Sequence, residues 1–249
     1  MDSERLMEVV HSWREWFERP EYSLLYSHRN EQEALQIVKL IYASGLLPDN
    51  SLVLDAGCGY GRLSYWLVKK GLRVVGVDIS QRMILEAGRR VPEATFLRHD
   101  LRFPYWDSLF DSATSIFSSF GYWEDDLHNF SMLTSISRAL RVGGLFVLDY
   151  LNPYFVKSNL TQQEIISKNG KTFHIKRWIA NNMVYKEIVW EERNTTWRFR
   201  EQLKLFDYPT LTGMLESAGL IPVQVYGGYS GKPFNAKSSE RTIIFSIKA

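Results

Sequence analysis

Thiols are almost absent. Cys58 is the one cysteine in 249 residues, so no internal disulfide forms, and a reducing, cytoplasmic setting is expected. Histidines are few and scattered: His11, His28, His99, His128 and His174 stand apart, and no Cys/His pair has zinc spacing, so no metal is expected. No apolar run approaches the roughly 18 residues of a membrane span. Asp2, Glu4, Arg5 and Glu8, dispersed among apolar residues, exclude a signal-peptide reading of the N-terminus. Excess charge is also small. Thirty Lys+Arg against 28 Asp+Glu leave a net +2, too little to draw the chain to nucleic acid or to an anionic membrane. Lys69-Lys70 and Arg89-Arg90 read as solvated helix ends. Internal repeats and low-complexity segments are lacking.

What is abundant is aromatic: 14% of the residues, with 8 Trp and 13 Tyr. Core packing accounts for most of these in the plain reading, and an aromatic-lined pocket in the sharper one. An apolar share of 45% with 23% charge fits an ordinary globular protein. The length suits one domain over 1–249. Within it, 1–45 reads as an N-terminal helical cap and 155–206 as an inserted antiparallel β subdomain.

The order of elements supports that division. Residues 5–18 place Leu6, Val9, Val10, Trp13 and Phe17 at helical spacing. A loop or short turn over 22–30 and a helix over 31–44 follow, stopped by Gly45 and Pro48. Strands at 51–56, 73–78, 94–97, 112–117 and 145–150 then alternate with helices at 61–70, after Ser80, and at 126–140, the last ended by Gly143-Gly144. Such alternation predicts an α/β fold with a parallel sheet covered on both faces. Glu124-Asp125-Asp126 reads as an acidic helix start. From 155 the pattern changes to period two, broken by Asn169-Gly170, Asn181-Asn182 and Arg193-Asn194, about a dozen residues apart, which predicts a hairpin meander. A helix from Asp207 to Ser217, a strand over 220–226, a glycine-rich loop and a strand over 242–247 complete the chain.

The chain is organised around Leu52-Val-Leu-Asp55-Ala-Gly57-Cys58-Gly59-Tyr60-Gly61-Arg62. An apolar run ends in an acid, three glycines stand at alternate positions, and a helix begins at once. This is the opening of a βαβ unit that binds a ligand beyond its strand ends. Glycine allows the sharp turn and close backbone approach, and the helix start offers free N–H groups. Asp78 ends the next strand 21 positions after Gly57, the place of an acid that holds a ribose diol. A dinucleotide loop would carry glycine where Arg62 stands, and Asp55 would sit poorly against a pyrophosphate. A carboxylate there suits an amine-bearing ligand instead.

The segment 53–61 with Asp78-Ile79-Ser80 resembles the class I S-adenosylmethionine-dependent methyltransferases. Tyr26-x-His28-Arg29, Phe117-Ser-Ser-Phe-Gly-Tyr122, Leu148-Asp149-Tyr150-Leu-Asn152, the antiparallel insertion and Tyr226-Gly-x-x-x-Gly-x-Pro-Phe234 extend it to nearly the whole chain, in the manner of bacterial sugar N-methyltransferase relatives. The resemblance implies a seven-stranded Rossmann-like sheet whose last strand is antiparallel. It implies S-adenosyl-L-methionine as cofactor. Asp55, Gly57, Cys58 and Gly59 would hold the methionyl end, with the Phe117 carbonyl on the amine. Arg29 would pair with the carboxylate, and Tyr26 would close that end. Asp78 would hold the ribose, Ile79 and Met83 would pack on the adenine, and Asp100 and Leu101 would meet its edge.

A sulfonium methyl is already activated, so the protein chiefly aligns an in-line attack and excludes water. The expected acceptor is N or O of a small molecule. Ser118-Ser-Phe-Gly stands where a D-P-P-Y-type motif would, which disfavours nucleic-acid bases, and Cys58 lies in the glycine loop, which excludes a cysteine nucleophile. Tyr122, Asp149 and Tyr150 are the candidate catalytic residues, with Ser119, Phe120, Trp123 and Asn152 around them and Tyr226, Tyr229 and Phe234 closing the pocket. The inserted sheet is open to a role as lid, as homodimer surface, or both. Rival readings are a cofactor-binding protein without catalysis, a methyltransferase acting on RNA or protein, and a nicotinamide oxidoreductase.

Overall fold

The computed structural model of the chain describes residues 10–27 and 31–249. Predicted positions Leu6, Val9, His28 and Arg29 lie outside the described residues. Among those described, α1 (Trp13–Phe17) begins under a capping box, Ser12 with Glu15. It does not extend back as far as the helical spacing suggests. The preceding backbone is engaged elsewhere: the His11 N–H donates to Arg198 O and the Arg200 N–H to His11 O, so this stretch lies as a short bridge on a sheet edge. A second correction follows. Where a loop or short turn was expected, α2 (Pro20–Leu25) forms, with proline at its first turn, where the missing N–H costs nothing. The helix α3 (Glu31–Ala43) agrees with expectation.

The α/β core then runs β1 (Leu52–Ala56), α4 (Arg62–Lys69), β2 (Arg73–Asp78), α5 (Gln81–Arg90), β3 (Thr95–Arg98), β4 (Phe110–Ser115), α6 (Asp126–Ala139) and β5 (Leu140–Leu151). Asp125 caps α6 through the Leu127 N–H, as its acidic start predicts. The glycine pair does not end that helix. Leu140 is already extended, and Gly143-Gly144 lie inside β5, where its pairing with β4 shifts register between Phe110 and Ser112. After β5 comes α7 (Pro153–Asn159), capped by Asn152. The meander follows as β6 (Gln163–Lys168), β7 (Lys171–Ala180), β8 (Met183–Glu192) and β9 (Thr195–Lys204). The predicted turn pairs join these strands; Asn169, Asn181, Asn182, Arg193 and Asn194 all have positive φ. The chain closes with α8 (Tyr208–Ser217), capped by Asp207, then β10 (Leu220–Tyr226) and β11 (Arg241–Lys248).

Seven strands form one sheet in the order β10-β11-β5-β4-β1-β2-β3, with β11 antiparallel to both neighbours and the β1–β5 pairings parallel. The inserted strands make a separate antiparallel sheet, β6-β7-β8-β9. One apolar cluster packs α6 and α8 on one face of the main sheet, around Phe110, Phe146 and Tyr150. Another packs α3 and α4 on the other face, around Ile41, Val53 and Phe245. A third joins α1, α2 and the inserted sheet through Trp16, Phe173, Trp190 and Phe199. Strand order reverses between β1 and β4, where the loops after these strands part and leave a crevice. No helix of the described residues is long and apolar enough to cross a membrane.

Candidate functional site

At that crevice lies a cavity of about 420 Å³. Its floor is the turn between β1 and α4. Gly57 (φ +81°) and Gly59 (φ +52°) adopt a backbone that side chains avoid, and the N–H groups of Gly57 and Cys58 both donate to Val77 O on the neighbouring strand. A Cβ at Gly57 would strike Ser119 Cβ and Oγ in the loop after β4. The two loops therefore touch through a gap only glycine leaves.

Two buried carboxylates flank this floor. Asp55, at the end of β1, accepts from Ser64 Oγ (2.6 Å) and Thr114 Oγ1 (3.4 Å). Burial pushes its carboxyl up to about 6, against the pull of these hydroxyls. Asp78, at the end of β2, accepts from the N–H groups of Gly59 and Ser80, each at 2.9 Å. Burial raises its carboxyl too, opposed by those N–H donors. At the far end, Asp100 accepts from Arg102 Nε (3.0 Å) and Nη2 (2.6 Å) and lies 3.7 Å from Arg14 Nη2. Burial pushes the Asp100 carboxyl up, but the Arg102 hydrogen bonds outweigh it and hold the group below its ordinary range.

Of the predicted residues, Tyr26, Asp55, Gly57, Cys58, Gly59, Asp78, Ile79, Met83, Asp100, Leu101, Phe117 and Tyr122 all line this one cavity. Asp149 and Tyr150 do not. Asp149 is fully buried behind the loop after β4, paired with Arg241 (2.7 Å). Tyr150 is fully buried among Phe120 and Phe206, its hydroxyl donating to Lys204 O, and burial drives its acidity far down. Both side chains are spent inside the fold, which removes them from the acceptor face. Tyr226, Tyr229 and Phe234 were expected to close the pocket and are also placed elsewhere: Tyr226 packs on Phe245, Tyr229 on Phe117, and Phe234 on Tyr208. Asn152 caps α7 and donates to Ala236 O and Ser239 O.

The cavity is closed instead by the N-terminal helices. Trp13 and Phe17 of α1 pack on Tyr122, with ring centroids 4.8 and 5.5 Å apart. Trp123 and Tyr22 extend this wall. The sequence placed Trp13 and Phe17 at helical spacing; their i, i+4 spacing carried the signal of one shared face and nothing about what it faces. Tyr26 ties the wall to the inserted sheet: its hydroxyl donates to Glu201 Oε2 (2.5 Å) and accepts from Lys186 Nζ (2.6 Å), while Trp16 Nε1 donates to Glu201 Oε1 (2.7 Å).

A family profile described as a methyltransferase domain matches residues 53–144, the stretch that builds this floor. The cypemycin N-terminal methyltransferase of a Streptomyces species is 28% identical over 203 residues, 79% of this chain and 83% of that protein. The dTDP-3-amino-3,4,6-trideoxy-alpha-D-glucopyranose N,N-dimethyltransferase of Streptomyces venezuelae is 26% identical over 61% of this chain and 65% of its own length. An S-adenosylmethionine-dependent methyltransferase from Clostridium acetobutylicum shares the fold, with a TM-score of 0.77 at 18% identity over 91% of this chain and 95% of that one. The chain carries a methyltransferase domain over 53–144, and its relatives and its fold are those of S-adenosylmethionine-dependent methyltransferases.

Its cavity fits the cofactor of that family. Beside the turn the cavity stays open at Gly59, where an added Cβ would meet nothing nearer than Met83 Sδ at 3.8 Å. Carboxylates stand at two strand ends with oxygens able to accept further donors, and Ile79, Met83 and Leu101 add apolar lining to the same cavity. Asp55 also gives this methyltransferase a pH signature. Its folded-state carboxyl lies above the unfolded value, so its charged form is penalised by folding. The stability it contributes is fully present below about pH 4 and is lost as pH rises to about 6, an effect on the order of 3 kcal/mol. Melting temperatures of wild type and Asp55→Asn, measured from pH 4 to 7, are expected to diverge in that window. Wild type loses ground as pH rises, and the gap is constant above it. A pH-independent gap would reject the buried, raised carboxyl.

Proposed function

We propose that the cavity holds S-adenosylmethionine with its methionyl end over the turns after β1 and β4 and its adenosyl end beside β2 and β3, and that the acceptor is an amine nitrogen of a small molecule. Asp55, Gly57, Cys58, Gly59 and Phe117 would hold the methionyl group. Asp78 would take the ribose hydroxyls, Ile79 and Met83 the adenine faces, and Asp100 and Leu101 its edge. When bound, the cofactor supplies an electrophilic methyl. The chain's own residues then have three tasks: they bind, they orient, and they exclude water.

The observation that carries the nitrogen reading is the aromatic wall of Trp13, Phe17, Tyr22 and Tyr122, continuous with the floor at Ser119. A methylated amine becomes cationic as the bond forms, and aromatic faces stabilise a cation by about 0.5–2 kcal/mol. Tyr122 is the one proposed catalytic residue that lines the cavity. Alignment of acceptor and methyl within this enclosure accounts for most of the rate, with roughly 7–11 kcal/mol available from orientation in favourable cases. The two curated relatives described above are named for methylation at an N-terminus and at an amino sugar, which supports the same atom.

We also read the enzyme as cytoplasmic, on its single, buried Cys58, and as acting without nucleic acid, on its net charge of +2. It is read as one unit over 1–249, with 1–45 as cap and 155–206 as insertion. A homodimer through the insertion is supported by the stack of Trp178 on Tyr185 with Arg200 over Trp178, on the sheet face turned away from Phe173 and Trp190.

Calorimetry with S-adenosylhomocysteine, followed by mass spectrometry of methyl transfer to matched amines and alcohols, tests this reading. Binding and transfer to amines are expected. Absence of binding would overturn the cofactor assignment, and transfer confined to oxygen would overturn the nitrogen assignment.

A further inference from the structure

The loop that follows β4 carries two adjacent side-chain-bearing residues in the left-handed region, Phe117 (φ +60°) and Ser118 (φ +59°). Asparagine relieves such geometry at the hairpins; a phenylalanine has no such relief, so something else must hold it. The holder is Asp149. Its Oδ2 accepts from the Phe117 N–H (2.7 Å) and from Tyr229 Oη (2.8 Å), and its backbone carbonyl accepts from the Ser118 N–H (3.2 Å). Its Oδ1 accepts from Arg241 Nε (2.7 Å), and Arg241 Nη2 donates to Ser118 Oγ (2.8 Å). Burying a carboxylate completely is costly unless it is paired and hydrogen-bonded in this way. Arg241 therefore grips both the carboxylate and the strained turn, through a fork that a lysine cannot reproduce.

This turn bounds the cavity. Ile116, Phe117 and Ser119 line it, the Phe117 ring lies under the Arg62 guanidinium (4.2 Å), and Ser119 occupies the gap beside Gly57. We infer that Arg241 and Asp149, on β11 and β5, are positioning residues that hold the Phe117–Ser118 turn in its strained form, and so set the wall against which the methyl donor is aligned. The inference rests on the donor reading given above. It assigns a role to Asp149, which sequence alone placed at the acceptor, and to β11, which does not line the cavity.

Two variants test it, with S-adenosylhomocysteine affinity by calorimetry, melting temperature, and amide exchange at 117–119 as readouts. Arg241→Lys keeps the charge that stabilises Asp149 but loses the bridge to Ser118. Its affinity is expected to fall about tenfold, as for one charge-assisted hydrogen bond, with faster exchange at 117–119. Ser118→Gly relaxes the strain and frees the turn. Its melting temperature is expected to hold or rise while affinity falls. A merely structural role predicts the reverse pattern for Ser118→Gly, a lower melting temperature with unchanged affinity. Wild type that binds while both variants bind equally well overturns this inference alone. Wild type that does not bind overturns the donor reading, and this inference with it.

Discussion

Asp78→Ala is expected to weaken S-adenosylhomocysteine binding by roughly 100- to 10,000-fold. A carboxylate accepting from two ribose hydroxyls makes two charge-assisted hydrogen bonds, each about 1.5–3 kcal/mol, and about 1.4 kcal/mol is one decade in affinity. The same carboxylate also accepts from the Gly59 and Ser80 N–H groups, so a weakened variant could reflect a loosened glycine loop. Two observations separate the causes. Asp78 is buried and its carboxyl is raised, so alanine relieves a desolvation cost while leaving two N–H groups unpaired. These effects oppose, and the melting temperature should move little. A donor analogue lacking one ribose hydroxyl should bind wild type more weakly than S-adenosylhomocysteine does, yet bind the variant equally well. If the analogue loses as much affinity in the variant as in wild type, Asp78 does not hold the ribose.

Gly57→Ala should be a strongly disruptive single-methyl addition. The residue sits at φ +81°, a cost of about 1–2 kcal/mol for alanine. The new Cβ meets Ser119 Cβ and Oγ, and overpacking of this kind costs about 1–3 kcal/mol more. The sum, roughly 2–5 kcal/mol, corresponds to a drop in melting temperature of about 5–15 °C for a chain of this size. Donor affinity should fall below detection, because the methyl separates the two loops that form the floor. Gly88→Ala is the control: it lies in α5 with open space around it, and alanine there should be neutral or stabilising. The double variant Gly57→Ala/Ser119→Gly removes the clash and should recover much of the stability. A double variant no better than the single one would show that backbone strain alone, without loop contact, explains the loss.

The glycine loop and its flanking acids were legible because they are local. Strand, acid, glycines and helix start lie within 52–62, and Asp78 follows one βα unit later, so spacing alone brings them to adjacent strand ends. The caps at Ser80, Asp125 and Asp207 were equally local, as were the hairpin turns of the insertion. Errors arose where a segment's fate depended on a distant partner. Residues 10–12 could have continued a helix, but the free edge of β9 took their backbone. Gly143-Gly144 could have ended α6, but β4 pairs with Leu140 before them and Leu145 after them, which leaves them as an irregularity inside β5.

The acceptor side shows the same division more sharply. Asp149 and Tyr150 are adjacent on β5, and strand alternation sends them to opposite faces. Neither destination is written in the motif that contains them. It follows from β11 entering beside β5, which brings Arg241 to Asp149 across 92 residues, and from the inserted sheet, whose Lys204 carbonyl receives the Tyr150 hydroxyl. The sequence by itself determined the fold class, the glycine loop and the paired acids beside it, since each rests on contacts between near neighbours in the chain. Only the tertiary structure decided that an N-terminal aromatic wall closes the cavity and that Asp149 serves the strained turn, because both depend on which strand edge and which face long-range packing left open.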